Sequence, residues 1–517
     1  MEWSIGKIMS KRAMVSPNKP ALIFEDNPVT YKQLNDETNR IAHLFQSLGL
    51  KKGDRISVDL LNCPEFLAIY MAAAKLGLIF APLNFRMVAP EIEYQLKNSG
   101  ARLIVFHDMF AKNIEPIRSS TQVEEDKFIV VRSGASERGD CGAWARDYHE
   151  LLREQPSDEP VVAEPVKLSD PLAIIYTSGV TGAPKGAVLS HEQTYYKNFQ
   201  IMLYTDMREE DIFLSQLPLF HSGGLFIIAT PVLCRGATLV MRGNFRPEQF
   251  AADIERYRVT VIFALTTMWR FVLQAKALDG IDTSSVRVVL GGGERTPASL
   301  IKELAEKGLY MQTGFGQTEN SAMMMLPKAD IMRKAGSIGL PGFFTEIWIE
   351  DSNGRRLPPG EIGEIVATGP TVMTGYWNNP EKTRETIVNG VLHTGDLGYT
   401  DKDGYFYIVD RAKDMYRSGG ENVYPAEIEK VLCEHPKIEN VSIIGVPDDK
   451  WGETGKAFVV CKNGDTITKD EIYSYLDGKV ARYKFPTHIV LVDSLPMTSS
   501  GKIRKSALKE AEATVFD

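Results

Sequence analysis

One stretch limits what this chain can fold into more than any other: Ile174-Ile-Tyr-Thr-Ser-Gly-Val-Thr-Gly-Ala-Pro-Lys-Gly-Ala-Val-Leu-Ser190. An apolar run breaks into glycines, hydroxyls and one lysine, and then an apolar run resumes. The flanks predict two strands, and the interruption predicts a loop that cradles an anion. Gly179, Gly182 and Gly186 let the main chain approach a ligand closely, so that N–H groups can converge on anionic oxygens. Thr177, Ser178 and Thr181 add hydroxyl donors, and Lys185 adds a point charge. The nearest alternative is the GxxxxGK[ST] nucleotide loop, in which a Ser or Thr follows the lysine and a helix opens at once. Here Gly186 and an apolar strand follow Lys185. A Gly-rich surface loop would explain the glycines but would leave the hydroxyls and the lysine unused.

The rest of the chain must supply a scaffold for that loop. At 517 residues the chain is several times the usual domain size, so two or more lobes are expected in place of a single core. Apolar residues at 44% and charged residues at 24% are ordinary globular usage. A formal charge of −8 argues against a general nucleic-acid binder. The five cysteines, Cys63, Cys141, Cys234, Cys433 and Cys461, show no CxxC spacing, so neither a zinc site nor a disulfide framework is indicated, and a reducing cytoplasm fits best. The N-terminus lacks an apolar core of signal-peptide length. The longest apolar stretch, Phe66 to Pro82, is broken by Lys75 and Gly77 and reads as a helix and a short strand, too short for a membrane span.

In chain order, helical spacing over Tyr31 to Leu48, stopped by Gly49, precedes strands at Arg55–Leu60 and Leu103–Phe106. Ser133 to Glu164 reads as a surface excursion between lobes. Strands at Leu172–Tyr176, Thr238–Met241, Val259–Ala264 and Val286–Leu290 then predict a second α/β lobe. Short segments at Glu346–Glu350, Gly363–Thr368 and Tyr405–Val409, with Pro358-Pro359-Gly360 and Asn353-Gly354 turns, predict a small β domain. Helices at Pro425–Glu434 and Lys469–Val480 alternate with strands at Val441–Val446 and Lys456–Cys461, predicting a compact α+β domain.

Gln312-Thr-Gly-Phe-Gly-Gln-Thr-Glu319 places a hydroxyl and a carboxylate after what reads as a glycine-hinged turn. Taken alone, Thr-Glu at a turn reads as a helix cap. Gly291-Gly-Gly-Glu-Arg-Thr-Pro297 follows an apolar strand, where glycines would let a flat base lie on the backbone; an ordinary strand-to-helix turn reads equally well. His393-Thr-Gly-Asp-Leu-Gly398 supplies Asp396, whose two oxygens suit vicinal hydroxyls, although a lone Asp in a Gly-rich turn is more commonly a turn former.

Thr177-Ser-Gly-Val-Thr-Gly-Ala-Pro-Lys-Gly186 resembles the signature loop of the adenylate-forming superfamily, which contains acyl-CoA synthetases, peptide-synthetase adenylation domains and beetle luciferases. The other motifs extend the resemblance over nearly the whole chain. It implies a large N-terminal region, residues 1–412, of two α/β lobes plus a small β-barrel-like domain, and a mobile α+β C-terminal domain, residues 413–517. It implies a reaction in which an acid and ATP give an acyl-adenylate and pyrophosphate, after which the acyl group passes to coenzyme A. Repulsion between the carboxylate and the α-phosphate calls for Mg²⁺, which Glu319 and Thr177 would hold through oxygen.

By the same resemblance ATP would meet Thr177, Ser178, Gly179, Thr181, Gly182, Lys185, Gly291, Gly292, Gly293, Gly314, Phe315, Gly316 and Thr318. Phe315 stands where the family usually has Tyr. Asp396 would hold the ribose, with Arg411 nearby. Lys502, in Pro496-Met-Thr-Ser-Ser-Gly-Lys-Ile-Arg-Lys505, matches the catalytic lysine, although a lysine in a basic tail is usually only solvated. Lys413 would be the hinge, and Arg417, Gly419 and Gly420 would line the path of the CoA thiol. His221, in Leu217-Pro-Leu-Phe-His-Ser-Gly-Gly224, would shape the carboxylate end of an acyl pocket bordered by Thr267, Met268, Met311, Gly314 and Met323. Deformable methionines and the lack of charge in these motifs point to medium- to long-chain fatty acids. An aryl or alicyclic acid, a carrier-protein thiol as acceptor, a luciferase-like oxidase and a nucleotide sensor are the alternatives. The expected partner is a small carboxylic acid, with no nucleic acid and no integral membrane segment; a homodimer is compatible with the resemblance.

Overall fold

The computed structural model describes residues 3–132, 142–177, 184–293, 296–411, 414–418, 421–448, 451–462, 464–480, 482–498 and 502–513. The chain divides into two compact units. The first comprises Met1–Ala335, Gly339–Glu346 and Thr368–Leu392, and the second Gly336–Ile338, Ile347–Ala367 and His393–Asp517. By compactness, most of the small β segment therefore groups with the C-terminal stretch, whereas the expected boundary at 412 had joined it to the N-terminal region.

The first unit holds two sheets. In the eight-stranded sheet the order is Gly375–Tyr376, Lys185–Ser190, Pro171–Thr177, Ile79–Pro82, Arg55–Asp59, Ala101–His107, Phe128–Val131 and Arg146–Asp147. In the nine-stranded sheet it is Leu340–Pro341, Ser321–Met325, Met311–Gln317, Val288–Gly291, Val261–Phe263, Ile212–Ser215, Thr238–Met241, Pro20–Phe24 and Asn27–Thr30. Both have parallel interiors; the nine-stranded sheet is antiparallel at both margins and the eight-stranded one only on the Gly375–Tyr376 side, the parallel interior strands being apolar runs buried on both faces.

The expected strands are present, but the two lobes interleave. The hairpin around the anion loop joins the sheet of the earlier strands through Phe80 and Ala173. Pro20–Phe24 instead pairs with Thr238–Met241 in the other sheet. Periodicity marks where strands lie and carries no signal for which distant strand each one pairs with.

Helix Tyr31–Ser47 begins in a capping box between Thr30 and Gln33 and buries Leu34, Ile41, Leu44 and Phe45, as its spacing predicts. Pro64–Leu76 is apolar on every side and is buried from Phe66 to Leu76. Its one cation, Lys75, donates to Asn35 Oδ1 at 2.8 Å and Asn39 Oδ1 at 2.6 Å, and pairs with Glu159 at 2.8 Å. That pair corrects part of the expected excursion at 133–164. Tyr148 is fully buried and donates to Glu37 at 2.7 Å, and Arg146–Asp147 extends the sheet. Buried polar groups need partners, and this polar segment supplies them.

In the second unit Gly363–Thr368, Val391–Thr400 and Phe406–Arg411 lie side by side. A second sheet pairs Ile438–Asp448 with Gly452–Cys461 along ten residue pairs and adds His488–Leu491 in parallel. Helices Pro425–Leu432 and Lys469–Leu476 cover it through Ile428, Leu432, Ile472 and Leu476, matching the α+β expectation. Among the described residues no helix is long and apolar enough to cross a membrane.

Candidate active site

The first unit brings three expected motifs to one place. Strands Pro171–Thr177 and Lys185–Ser190 form the hairpin whose ends carry Thr177 and Lys185; their backbones pair, and the Thr177 hydroxyl donates to the Lys185 carbonyl at 3.3 Å. Ser178, Gly179, Thr181 and Gly182 lie outside the described residues. The edge strand Gly375–Tyr376 pairs with the hairpin, and Lys185 Nζ stands 4.7 Å from the centre of the Tyr376 ring. The Tyr376 hydroxyl donates to Glu319 Oε1 at 2.7 Å, so one phenol joins the lysine of the loop to the carboxylate of the Thr-Glu motif. Burial pulls the Lys185 pKa down while the charge of Glu319 pulls it up. Burial, reinforced by Glu319, raises that of the Tyr376 phenol, which keeps its proton. The sequence reading missed Tyr376, and Gly375-Tyr-Trp377 offered only a glycine beside two aromatics.

Gly314, Phe315 and Gly316 do not form a turn. They belong to strand Met311–Gln317, which pairs antiparallel with Ser321–Met325, and the chain reverses at residues 318–320. A Cβ on Gly316 would lie 1.7 Å from the Ser321 carbonyl oxygen, and one on Gly314 3.0 Å from that of Met324. Glycine is required by the close approach of the neighbouring strand. Thr318 and Glu319 sit in the reversal, with Ser222 Oγ 3.4 Å from Thr318 Oγ1 and the Met373 amide donating to the Glu319 carbonyl at 2.7 Å.

Gly291 and Gly292 answer to packing as well. A Cβ on Gly291 would meet the Met311 sulfur at 2.4 Å, and one on Gly292 the Gly314 carbonyl at 3.1 Å, while Gly293 turns at φ +83°. Met311 and Met323 are fully buried, Met268 is buried on helix Thr266–Gln274, and Thr267 is half-buried there. His221 lies against Phe220, ring centres 4.3 Å apart, just before a π-helical turn at Gly223–Ala229. Such turns are frequent at functional sites.

In the second unit Asp396 is buried on strand Val391–Thr400, and its backbone register partner is Arg411. Glu364, which the sequence reading also missed, fixes this motif: it pairs with His393 Nδ1 at 2.9 Å and accepts from the Gly395 amide at 2.8 Å. The Asp396 amide donates to the Thr394 hydroxyl at 3.1 Å. Lys413, Gly419 and Gly420 lie outside the described residues, and Arg417 is in strand Tyr416–Ser418, paired with Glu421–Val423. Lys502 is exposed, its amide donating to Thr498 Oγ1 at 3.0 Å. Lys505 is half-buried and bonds Glu429 at 2.8 Å; desolvation lowers its pKa, but Glu429 and Asp410 reverse this, and the net shift is upward.

Among the described residues no three His, Cys, Asp or Glu side chains converge to hold a metal. A single carboxylate with hydroxyls around it suits Mg²⁺, which takes one or two carboxylates and completes its octahedron with phosphate oxygens and water.

A loop of phosphate-binding composition ending in Lys185, together with the Lys185–Tyr376–Glu319 chain, defines a nucleotide-activating site. Residues 9–377 match the AMP-binding enzyme family and residues 427–502 its C-terminal domain, and the chain belongs to that family as an AMP-forming acid–CoA ligase. It is 36% identical over 506 residues to a feruloyl-CoA synthase of Amycolatopsis sp., with 98% of each chain covered. It is 35% identical over 512 residues to the long-chain-fatty-acid–CoA ligase FadD13 of Mycobacterium tuberculosis, with 98% of each covered. The O-succinylbenzoate coenzyme A synthetase of Bacillus subtilis, solved with ATP and a magnesium ion, superposes with a TM-score of 0.86 at 31% identity, covering 98% of this chain and 100% of that one. The reaction is thus ATP-dependent ligation of a carboxylic acid to CoA through an acyl-adenylate.

Proposed function

We propose that the acid is a medium- to long-chain aliphatic acid. The observation that carries this is the methionine content of two paired strands beside the reversal that holds Glu319: Met311 on one, and Met323, Met324 and Met325 on alternating faces of the other, are all buried. Unbranched thioether side chains can repack around a flexible chain. The likeness to FadD13 supports the same choice, whereas the likeness to the feruloyl-CoA synthase favours an aryl acid as the second candidate.

In this proposal Glu319, with Thr177, holds Mg²⁺, and Lys185 and the loop amides neutralise the phosphates. Asp396 and Arg411 bind the ribose. Lys502 acts in adenylation only; the domain from 413 onward then turns about Lys413 to bring Arg417, Gly419 and Gly420 to the adenylate for thiol transfer. Free CoA is the acceptor, and the location is cytoplasmic. The test is pyrophosphate release over fatty, branched, alicyclic and aryl acids, with and without CoA. A rise in kcat/KM with chain length is expected, each buried methylene contributing about 0.8 kcal/mol. A flat series topped by an aryl acid would reverse the choice of substrate, and adenylation without transfer to free CoA would point to a carrier-protein thiol.

A further inference from the structure

Helix His191–Thr205 carries a lysine that pairs with no anion among the described residues. Lys197 is 2% exposed, and its Nζ has no hydrogen-bond partner among the described residues. The Phe226 ring of the π-helical turn lies 6.0 Å from that nitrogen. Burial lowers the pKa to about 7, with the charge of Glu319 opposing the shift. One turn further on, Gln200 ties the helix to strand Ser321–Met325, donating to the Ala322 carbonyl and accepting from the Phe344 amide at 3.0 Å. Lys197 therefore faces the reversal at residues 319–321, since side chains three apart share a helix face.

Other polar groups there are also unsatisfied. Among the described residues neither amide atom of Asn198 is bonded, nor are Asn320 Nδ2 and Ser321 Oγ, all of them buried. Ser321 holds φ at +63°, left-handed for a residue with a Cβ, a strain that concentrates at functional sites. The elements around Lys197 are ones that the proposed function sets beside the acid: the turn after His221, the Glu319 reversal and the strand of Met323.

A buried amine with no anion bonded to it is costly, and an incoming anion would offset that cost. We propose that Lys197 is a specificity-determining residue. The acid this chain activates carries, besides the carboxylate that is adenylated, a second oxygen acceptor, a carboxylate before a carbonyl or hydroxyl, and Lys197 receives it with Asn320 and Ser321. The inference rests on the reading of the chain as an acid–CoA ligase for aliphatic acids and narrows it to chains with such a group.

The test compares parent and Lys197→Met, as full chains, in pyrophosphate release with ATP and Mg²⁺. Dicarboxylates from butanedioate to decanedioate are set against monocarboxylates, oxo acids and hydroxy acids of equal length. The parent should prefer an acceptor-bearing acid, and the diacid arm against the oxo and hydroxy arms identifies the acceptor. Lys197→Met should lose kcat/KM for that acid by about 10²-fold, carried mainly in KM, as expected for loss of a hydrogen-bonded charge, and should leave the monocarboxylate unchanged. Equal effects on both, or a parent indifferent to the second group, would overturn the proposal. If no aliphatic acid is activated, the aliphatic reading fails by itself, and the same comparison on hydroxylated and unsubstituted aryl acids decides the role of Lys197. The unliganded variant should melt at or above the parent's temperature, because an unpaired amine has been replaced by an apolar chain. A lower melting temperature would show that Lys197 is already satisfied without substrate, and would also overturn the proposal.

Discussion

Tyr376→Phe isolates one hydrogen bond in the first unit. The phenol donates to Glu319 at 2.7 Å, and its ring lies 4.7 Å from Lys185. Removing the hydroxyl leaves the ring and the lysine contact in place and frees one carboxylate oxygen. A hydrogen bond to a charged acceptor contributes about 1.5–3 kcal/mol, or roughly 10- to 150-fold in rate if it holds the carboxylate in its working orientation. The expected result is a loss of that size in pyrophosphate release, with a higher Mg²⁺ requirement and an unchanged melting temperature within a degree or so. Tyr376→Leu should lose a further factor of a few, because the cation–π contact of Lys185 adds about 0.5–2 kcal/mol. The assay is initial rate against Mg²⁺ concentration at saturating ATP. A Tyr376→Phe enzyme with parent rate and parent Mg²⁺ dependence would refute the claim that the phenol orients Glu319.

Other perturbations follow from the same geometry. Gly316→Ala should destabilise the first unit by more than about 3 kcal/mol or prevent soluble expression, since its Cβ would fall 1.7 Å from a backbone oxygen; a melting curve checks this. Glu364→Gln should weaken ATP binding more than turnover, because His393 and the Gly395 amide lose their shared carboxylate; nucleotide titration against kcat separates the two. His191 accepts from the Ile5 amide in a fully buried site, which pushes its pKa down to about 4. With the folded pKa below the unfolded value of about 6.5, stability from this group is full above pH ~6.5 and falls as pH drops toward 4, by at most about 3 kcal/mol. Denaturant midpoints of the parent and His191→Asn across that range should diverge accordingly.

Much of this was legible in the sequence. The strands at Leu172–Tyr176 and Thr238–Met241, the helix at Tyr31 and the alternation after Lys413 were all signalled locally by periodicity or turn residues. Pairing was not, because the partner of Pro20–Phe24 lies more than two hundred residues away and an apolar strand does not encode its neighbour. Gly314 and Gly316 were read as a hinge, since sequence cannot distinguish a glycine needed for a turn from one needed for close approach. Tyr376, Glu364 and Lys197 escaped because each gains its meaning from a neighbour distant in the chain. Lys197 in particular sits in helix His191–Thr205 among other polar residues, and only burial without a partner among the described residues singles it out.

The central claim, that this chain activates its acid as an adenylate before CoA attacks, is tested most directly by following oxygen. The best acid of the pyrophosphate panel, labelled with heavy oxygen in its carboxylate, is turned over with ATP and CoA, and the AMP is analysed by mass. One labelled oxygen should appear in AMP for each thioester formed, because the carboxylate oxygen that attacks the α-phosphate leaves with it. Unlabelled AMP, or ADP and phosphate in its place, would contradict the acyl-adenylate route.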